Sequence, residues 1–200
     1  MLIALGSNVA SSRGEPVETL RAALAALGES GLAVARASRI YASPAFPAGS
    51  GPDYANAVAR IDPAGRSPEA VLALLHAVEA AFDRRREARW GPRTLDLDLL
   101  AAGAEVRPDP AGWRAWRELD LAAQRARAPD RLILPHPRIE DRAFVLVPLA
   151  EVAPGWRHPL TGATVEAMLA ARPAAERAAI RPLDVANAAD SALVKPSRGA

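Results

Sequence analysis

The stretch Arg89-Trp90-Gly91-Pro92-Arg93-Thr94-Leu95-Asp96-Leu97-Asp98 leaves few arrangements open to this chain. A rigid aromatic turn between two arginines runs into a strand with carboxylates at alternate positions. Alternation sends every second side chain to the same face. Asp96 and Asp98 therefore project together, while Leu95, Leu97 and Leu99 turn the other way into a core. Two carboxylates roughly 7 Å apart along a strand can converge on a pair of magnesium ions, hard cations that take oxygen ligands and leave positions for water and phosphate. An Asp-x-Asp pair by itself describes a solvated strand face. Here Arg84, Arg85, Arg86, Arg89 and Arg93 crowd next to it, and that much like charge requires an anionic partner. Carboxylates for metal beside guanidiniums for phosphate make the layout of a phosphoryl-transfer site.

The rest of the composition narrows the field. Two hundred residues, half of them hydrophobic, suit one domain with a sizeable core. Lys195 is the sole lysine, so a lysine-dependent phosphate loop is excluded. A net charge of +2 with 4% aromatics argues against a nucleic-acid binder, which needs a broad basic face. Without cysteine there is no disulfide framework and no thiolate chemistry. The chain opens without a charged leader, and no apolar run reaches ~18 residues. A cytoplasmic protein without a membrane span is expected.

Periodicity supplies the elements. Leu2 to Leu5 reads as a short buried strand, and Gly6 after it allows a close backbone or ligand approach. Val17, Leu20, Leu24 and Leu27 predict a helix stopped by Gly28 and Gly31. Leu32 to Tyr41 is a second strand, and Ser43 to Pro52, with three prolines and two glycines, is a long loop. Tyr54 to Ile61 is a strand that places Tyr54 and Asn56 on one face, where a ring can stack on a flat heterocycle and an amide can pair with its edge. Ser67-Pro68-Glu69 starts a helix that runs to about Arg84, with His76 and Glu79 neighbours on its polar side. Thr94 to Ala102 is the carboxylate strand. A short helix around 112–126 caps a core edge. Leu132 to Arg138 resumes a strand that breaks at its prolines, and the apolar run Val145 to Leu149 follows. Thr164 caps a short helix through Leu169, and residues 184–200 read as a disordered tail after a single domain over 1–183. The order strand, helix, strand, strand, helix, strand is that of a ferredoxin-like, split βαβ α+β fold. It predicts an antiparallel sheet with helices packed on one face, the other face free for a ligand, and an insertion near 105–131.

These residues resemble the 6-hydroxymethyl-7,8-dihydropterin pyrophosphokinase family over about residues 2–182, apart from the 105–131 segment. The block Arg89 to Leu99 carries the likeness. Leu5-Gly6-Ser7-Asn8, Ser43-Pro44 with Tyr54-x-Asn56, and Pro135-His136-Pro137-Arg138 with Arg142-Ala143-Phe144 support it. The resemblance implies an enzyme of folate biosynthesis that transfers the pyrophosphoryl group of ATP to the pterin hydroxymethyl oxygen and releases AMP. It implies that Asp96 and Asp98 hold two magnesium ions, and that Arg84, Arg86 and Arg93 act at the phosphates. Tyr54 and Phe144 would sandwich the pterin, with Asn56 on its edge and Ser43, Pro44 and Phe46 beside it. His76, Glu79, Arg86, Trp90, Arg93, Leu99, Ile133, His136 and Arg142 would surround ATP. ATP and a reduced pterin are the implied partners of a monomer, with no nucleic acid and no membrane. The chain departs from the family pattern at His76, Asp83 and Pro137, and in a shorter arginine loop. Two other readings are compatible with these residues: a non-catalytic nucleotide- or RNA-binding module on the same scaffold, and a two-metal nucleotidyltransferase.

Overall fold

The computed structural model describes residues 1–45, 49, 51–83, 93–120, 122–123 and 129–183. Phe46, Arg84, Arg86, Trp90 and the expected tail lie outside the described residues. The elements in chain order are β1 (Leu2–Ser7), α1 (Pro16–Glu29), β2 (Ala33–Ala37), β3 (Tyr41–Ser43), β4 (Tyr54–Asp62), α2 (Pro68–Ala81) and β5 (Asp96–Ala101). There follow α3 (Pro110–Arg117), a 3-10 turn (Ile139–Asp141), α4 (Ala143–Val152), α5 (Val165–Ala170), α6 (Ala174–Ala178) and β6 (Arg181–Pro182).

The long strand β4 organises an antiparallel sheet in the order β5-β1-β4-β3-β6, with β2 also on β4. The expected single strand 32–41 is two strands. Ser38 makes the break: its N–H donates to the Val58 carbonyl at 2.9 Å, and its Oγ accepts the Val58 N–H at 3.0 Å. A hydroxyl thus replaces the ladder partner and the chain bends. The helix starts follow the sequence. Ser67 Oγ accepts the Ala70 N–H at 3.2 Å at the head of α2, and the apolar stripes of α1 and α2 meet one face of the sheet. Leu20, Leu27, Val71 and Leu75 there pack with Ile3, Leu5, Leu95, Leu97 and Leu99.

The expectation of helices on one face only is corrected. The run Val145 to Leu149 belongs to α4, which buries Val145, Leu146 and Leu149 against Leu2, Val58 and Leu100 on the second face. An all-apolar run of this length does not distinguish strand from helix; an unfilled apolar patch on the sheet decides it. Among the described residues, α4 covers the Leu2, Val58 and Leu100 end of the second face. Leu132 to Arg138 is not a strand beyond one bridge, Arg107 to Leu134. Pro135 and Pro137 lack the N–H groups a ladder needs. The expected helix 112–126 starts earlier, at Pro110, because Asp109 Oδ1 caps Ala111 and Gly112 at 2.9 Å each. It ends at Arg117. Among the described residues no helix is long and apolar enough to cross a membrane.

Glu79 is not on the polar side of α2. It is 1% exposed, and its Oε1 accepts the Leu97 N–H at 2.7 Å. Strand β5 pairs on one side with β1; Glu79 satisfies a donor on the other. Glu79→Ala leaves that N–H unsatisfied and is expected to cost about 2 kcal/mol, read as a lower urea midpoint at constant slope. An unchanged midpoint would refute this role.

Candidate active site

Strand β5 presents Asp96 and Asp98 on the face opposite its buried leucines. Gly6 lies across from Asp96 and from Asn56, and Ala4 lies across from Asp98 and from Val58. These rows put Asp96, Gly6 and Asn56 side by side. A Cβ added at Gly6 would meet Asn56 Oδ1 at 3.7 Å, Asp96 Cβ at 3.9 Å and Tyr54 Cδ1 at 4.0 Å. Three expected site residues therefore ring one glycine, and the missing side chain leaves the space between them open. Helix α4 covers Leu2, Val58 and Leu100, farther along the same face.

The acids are neither sealed nor fully in water, with side-chain exposures of 20% for Asp96 and 39% for Asp98. Arg93 Nη1 pairs with Asp96 Oδ2. Arg142 Nη1 lies 3.5 Å from Asp98 Oδ2. Burial alone would lower the Arg93 guanidinium, but the charge and hydrogen bond of Asp96 outweigh it and raise it above its ordinary value, helped by Asp98 and Tyr54. The Tyr54 hydroxyl is raised by burial; Arg93 opposes and Asp96 adds to the shift. Each of these groups feels the others at close range.

Asn56 is 5% exposed. Its Nδ2 donates to Ser43 Oγ at 2.9 Å, so Ser43 holds the amide in one orientation. Pro44 follows on the surface. Phe144 opens α4, with the Arg142 guanidinium 5.8 Å from its ring centre. Tyr54 and Phe144 are not in ring contact with one another. His136 donates its backbone N–H to the Leu100 carbonyl at 2.8 Å, which brings it beside β5. Its Nδ1 accepts the Arg138 N–H at 3.1 Å, so the neutral ring carries its proton on Nε2. Desolvation, then Arg142, push this imidazole from 6.5 down to about 3, against Asp96.

Four expected ATP contacts are turned away from the carboxylates. His76 is exposed and lines a cleft of about 600 Å³ with Leu72, Arg107, Arg131 and Leu132. Ile133, 6% exposed, follows that cleft. Leu99 is 4% exposed and faces the α1–α2 core, as its odd position in the alternation dictates. Glu79 is turned to the edge of β5. One residue received no individual role from the sequence. Asn8 donates its N–H to the Arg93 carbonyl at 3.1 Å, and its Oδ1 accepts the Arg93 N–H at 2.9 Å. It fixes the backbone from which Arg93 reaches Asp96. The only signal for it was its place in Leu5-Gly6-Ser7-Asn8.

Adjacent strand carboxylates met by guanidiniums, on the part of a sheet face that no described helix covers, define the phosphoryl-transfer class of site. The family model for 7,8-dihydro-6-hydroxymethylpterin-pyrophosphokinase (HPPK) matches residues 2–154. A 2-amino-4-hydroxy-6-hydroxymethyldihydropteridine pyrophosphokinase of Synechocystis sp. is 38% identical over 165 residues, covering 82% of this chain and 71% of the relative. The same enzyme of Pseudomonas aeruginosa is 38% identical over 174 residues, covering 86% and 90%. The crystal structure of wild-type Plasmodium falciparum HPPK-DHPS superposes with a TM-score of 0.55 at 11% identity, over 84% of this chain and 44% of that one. That likeness concerns the fold, and this chain spans less than half of that longer protein. The chain belongs to the HPPK family. It is an ATP-dependent pyrophosphokinase of folate biosynthesis, and the RNA-binding reading is not favoured.

The depressed His136 gives a pH signature. Between about 3 and 6.5 the unfolded chain takes up a proton that the folded chain refuses. Stability is complete above that window and falls as the pH falls through it. In His136→Gln the plot of unfolding free energy against pH should be flatter there; an unaltered slope would show that the imidazole is not held neutral.

Proposed function

We propose that the pyrophosphoryl group of ATP passes to the hydroxymethyl oxygen of 6-hydroxymethyl-7,8-dihydropterin over the space above Gly6, releasing AMP. The observation that carries this is the convergence of Asp96, Asn56 and Tyr54 on that glycine, with Arg93 and Arg142 at the two carboxylates. Tyr54 and Phe144 bind the faces of the pterin. Asn56, oriented by Ser43, meets its edge, with Pro44 and Phe46 beside it. The cleft at His76 and Leu132 takes the nucleoside, leading through Ile133 to His136.

Asp96 and Asp98 fit magnesium as donors. They are hard oxygen ligands on one face of β5, at positions two apart, and magnesium sites of this kind draw remaining ligands from phosphate and water. Two ions, when bound, would neutralise phosphate charge and favour in-line geometry. Arg93 and Arg142 stabilise phosphate oxygens as charge shifts during transfer. His136, neutral with its proton on Nε2, offers a hydrogen bond without adding charge. Arg84, Arg86 and Trp90 complete the phosphate and nucleotide contacts from outside the described residues.

The connectivity β1-α1-β2-β4-α2-β5, with antiparallel neighbours β5-β1-β4-β2, supports reading the core as a ferredoxin-like split βαβ unit. Residues 1–183 act as one domain, since β6 returns to β3. The enzyme works as a cytoplasmic monomer on ATP and a reduced pterin.

With ATP, Mg²⁺ and the reduced pterin, chromatography should find AMP and no ADP. Asp96→Asn and Asp98→Asn should each lower turnover by at least ~10²-fold with an unchanged circular dichroism spectrum. ADP as product, or full turnover in both variants, would sink the reading. Asn56→Ala should raise KM for the pterin roughly tenfold and leave KM for ATP in place, as expected when an edge-reading amide is lost; a shift in KM for ATP alone would contradict its assignment.

A further inference from the structure

We propose that α3 and its flanks, within the 105–131 insertion, form a buttress that positions the His136–Arg142 loop for the nucleotide. The inference rests on the reading above that His136 and Arg142 meet the triphosphate.

The loop is held at its middle: Ile139 is buried beside Leu2 and Val58, in a short 3-10 turn. Its ends, where His136 and Arg142 stand, are less secured, since Pro135 and Pro137 have no N–H to donate and the backbone tie there is the His136 N–H on Leu100. The insertion grips it immediately ahead of each of its two functional residues. Trp113, 4% exposed, donates Nε1–H to the Pro135 carbonyl at 2.7 Å, one residue before His136. Arg117 forks onto Asp141, Nη1 to Oδ2 at 2.8 Å and Nη2 to Oδ1 at 2.9 Å, one residue before Arg142. Arg138, between them, donates from Nη1 to Asp141 Oδ2 at 2.9 Å and from Nη2 to the Leu119 carbonyl at 2.9 Å. Behind the loop, Arg107 and Leu134 exchange backbone hydrogen bonds of 2.8 and 3.2 Å.

A planar fork on a carboxylate fixes orientation as well as distance. The Arg117 and Asp141 side chains are 28% and 30% exposed, so water screens the pair less than it would on open surface. Asp141 also has both oxygens occupied by Arg117 and Arg138. Its charge is spent there, and the adjacent Arg142 reaches Asp98 instead. Ser43, Tyr54 and Asn56 lie on β3 and β4 and make no hydrogen bond to α3. Phe144, the pterin-side residue nearest the loop, is held by α4, which seats Val145, Leu146 and Leu149 on the sheet. The buttress therefore acts on the nucleotide side of the site, while Tyr54, Asn56 and the anchor of α4 keep the pterin side in place.

The test uses the full chain, calorimetric titration with Mg²⁺ and α,β-methylene-ATP, and a separate titration with the pterin. Arg117→Ala and Asp141→Asn should each weaken the analogue roughly tenfold, and the double variant should be no worse than either, the non-additivity of partners in one charge network. Pterin affinity should stay at the wild-type value, and Arg117→Lys should recover part of the loss. If Arg117→Ala does not fold, Trp113→Phe removes the N–H donor to Pro135 while keeping an aromatic ring in the site, and should show the same selective loss. Wild-type analogue affinity in these variants, or equal weakening of the pterin, would overturn the proposal. Arg142→Ala separates the two levels. If it weakens the analogue while Arg117→Ala and Trp113→Phe do not, the buttress alone falls. If it binds as wild type, the underlying reading of Arg142 falls and takes the buttress with it.

Discussion

Burying Leu95, Leu97 and Leu99 against α1 and α2 leaves the carboxylates of Asp96 and Asp98 no exit but the opposite face of β5. A slip of one residue would drive two acids into an apolar core and three leucines into water. The same packing energy that builds the core thus sets the orientation of the acidic pair. No separate device is needed to aim it. Asn8 and Glu79 refine the result: one clamps the peptide of Arg93, the other ties the backbone at Leu97.

The division of the second sheet face is what turns an acidic strand into a site. At one end Leu2, Val58 and Leu100 lie under α4; at the other, Gly6 carries no side chain and Asn56, Tyr54 and Asp96 stand around it. Helix α4 also delivers Arg142 and Phe144 from its first turn to the border between covered and uncovered sheet. The apolar half fixes the depth of the helix, and the helix fixes where the guanidinium stands. Core and site are successive stretches of one surface.

Strand alternation and helix stripes made most of this legible. The positions of β1, β4, β5, α1 and α2 follow from periods of two and 3.6, and the pairing of Asp96 with Asp98 follows from the first. What escaped had a physical reason in each case. Val145 to Leu149 is apolar on every side, so it has no period to read, and the sheet patch it covers is remote in sequence. The break at Ser38 depends on a hydroxyl finding Val58, a residue twenty positions away. The three-residue spacing of His76 and Glu79 puts both on one polar side of α2, whereas the fold exposes His76 and buries Glu79. The resemblance assigns Leu99 to the nucleotide, and alternation turns its side chain into the core.

The outer margin of β5 has a further consequence. A sheet edge with unused peptide groups is a template on which another chain can polymerise. Here the Leu97 amide is taken by Glu79 and the Leu100 carbonyl by the amide of His136. An incoming strand would have to displace a buried carboxylate and a proline-flanked segment together. The contacts that tie α2 and the His136 segment to β5 also close this edge to cross-β pairing.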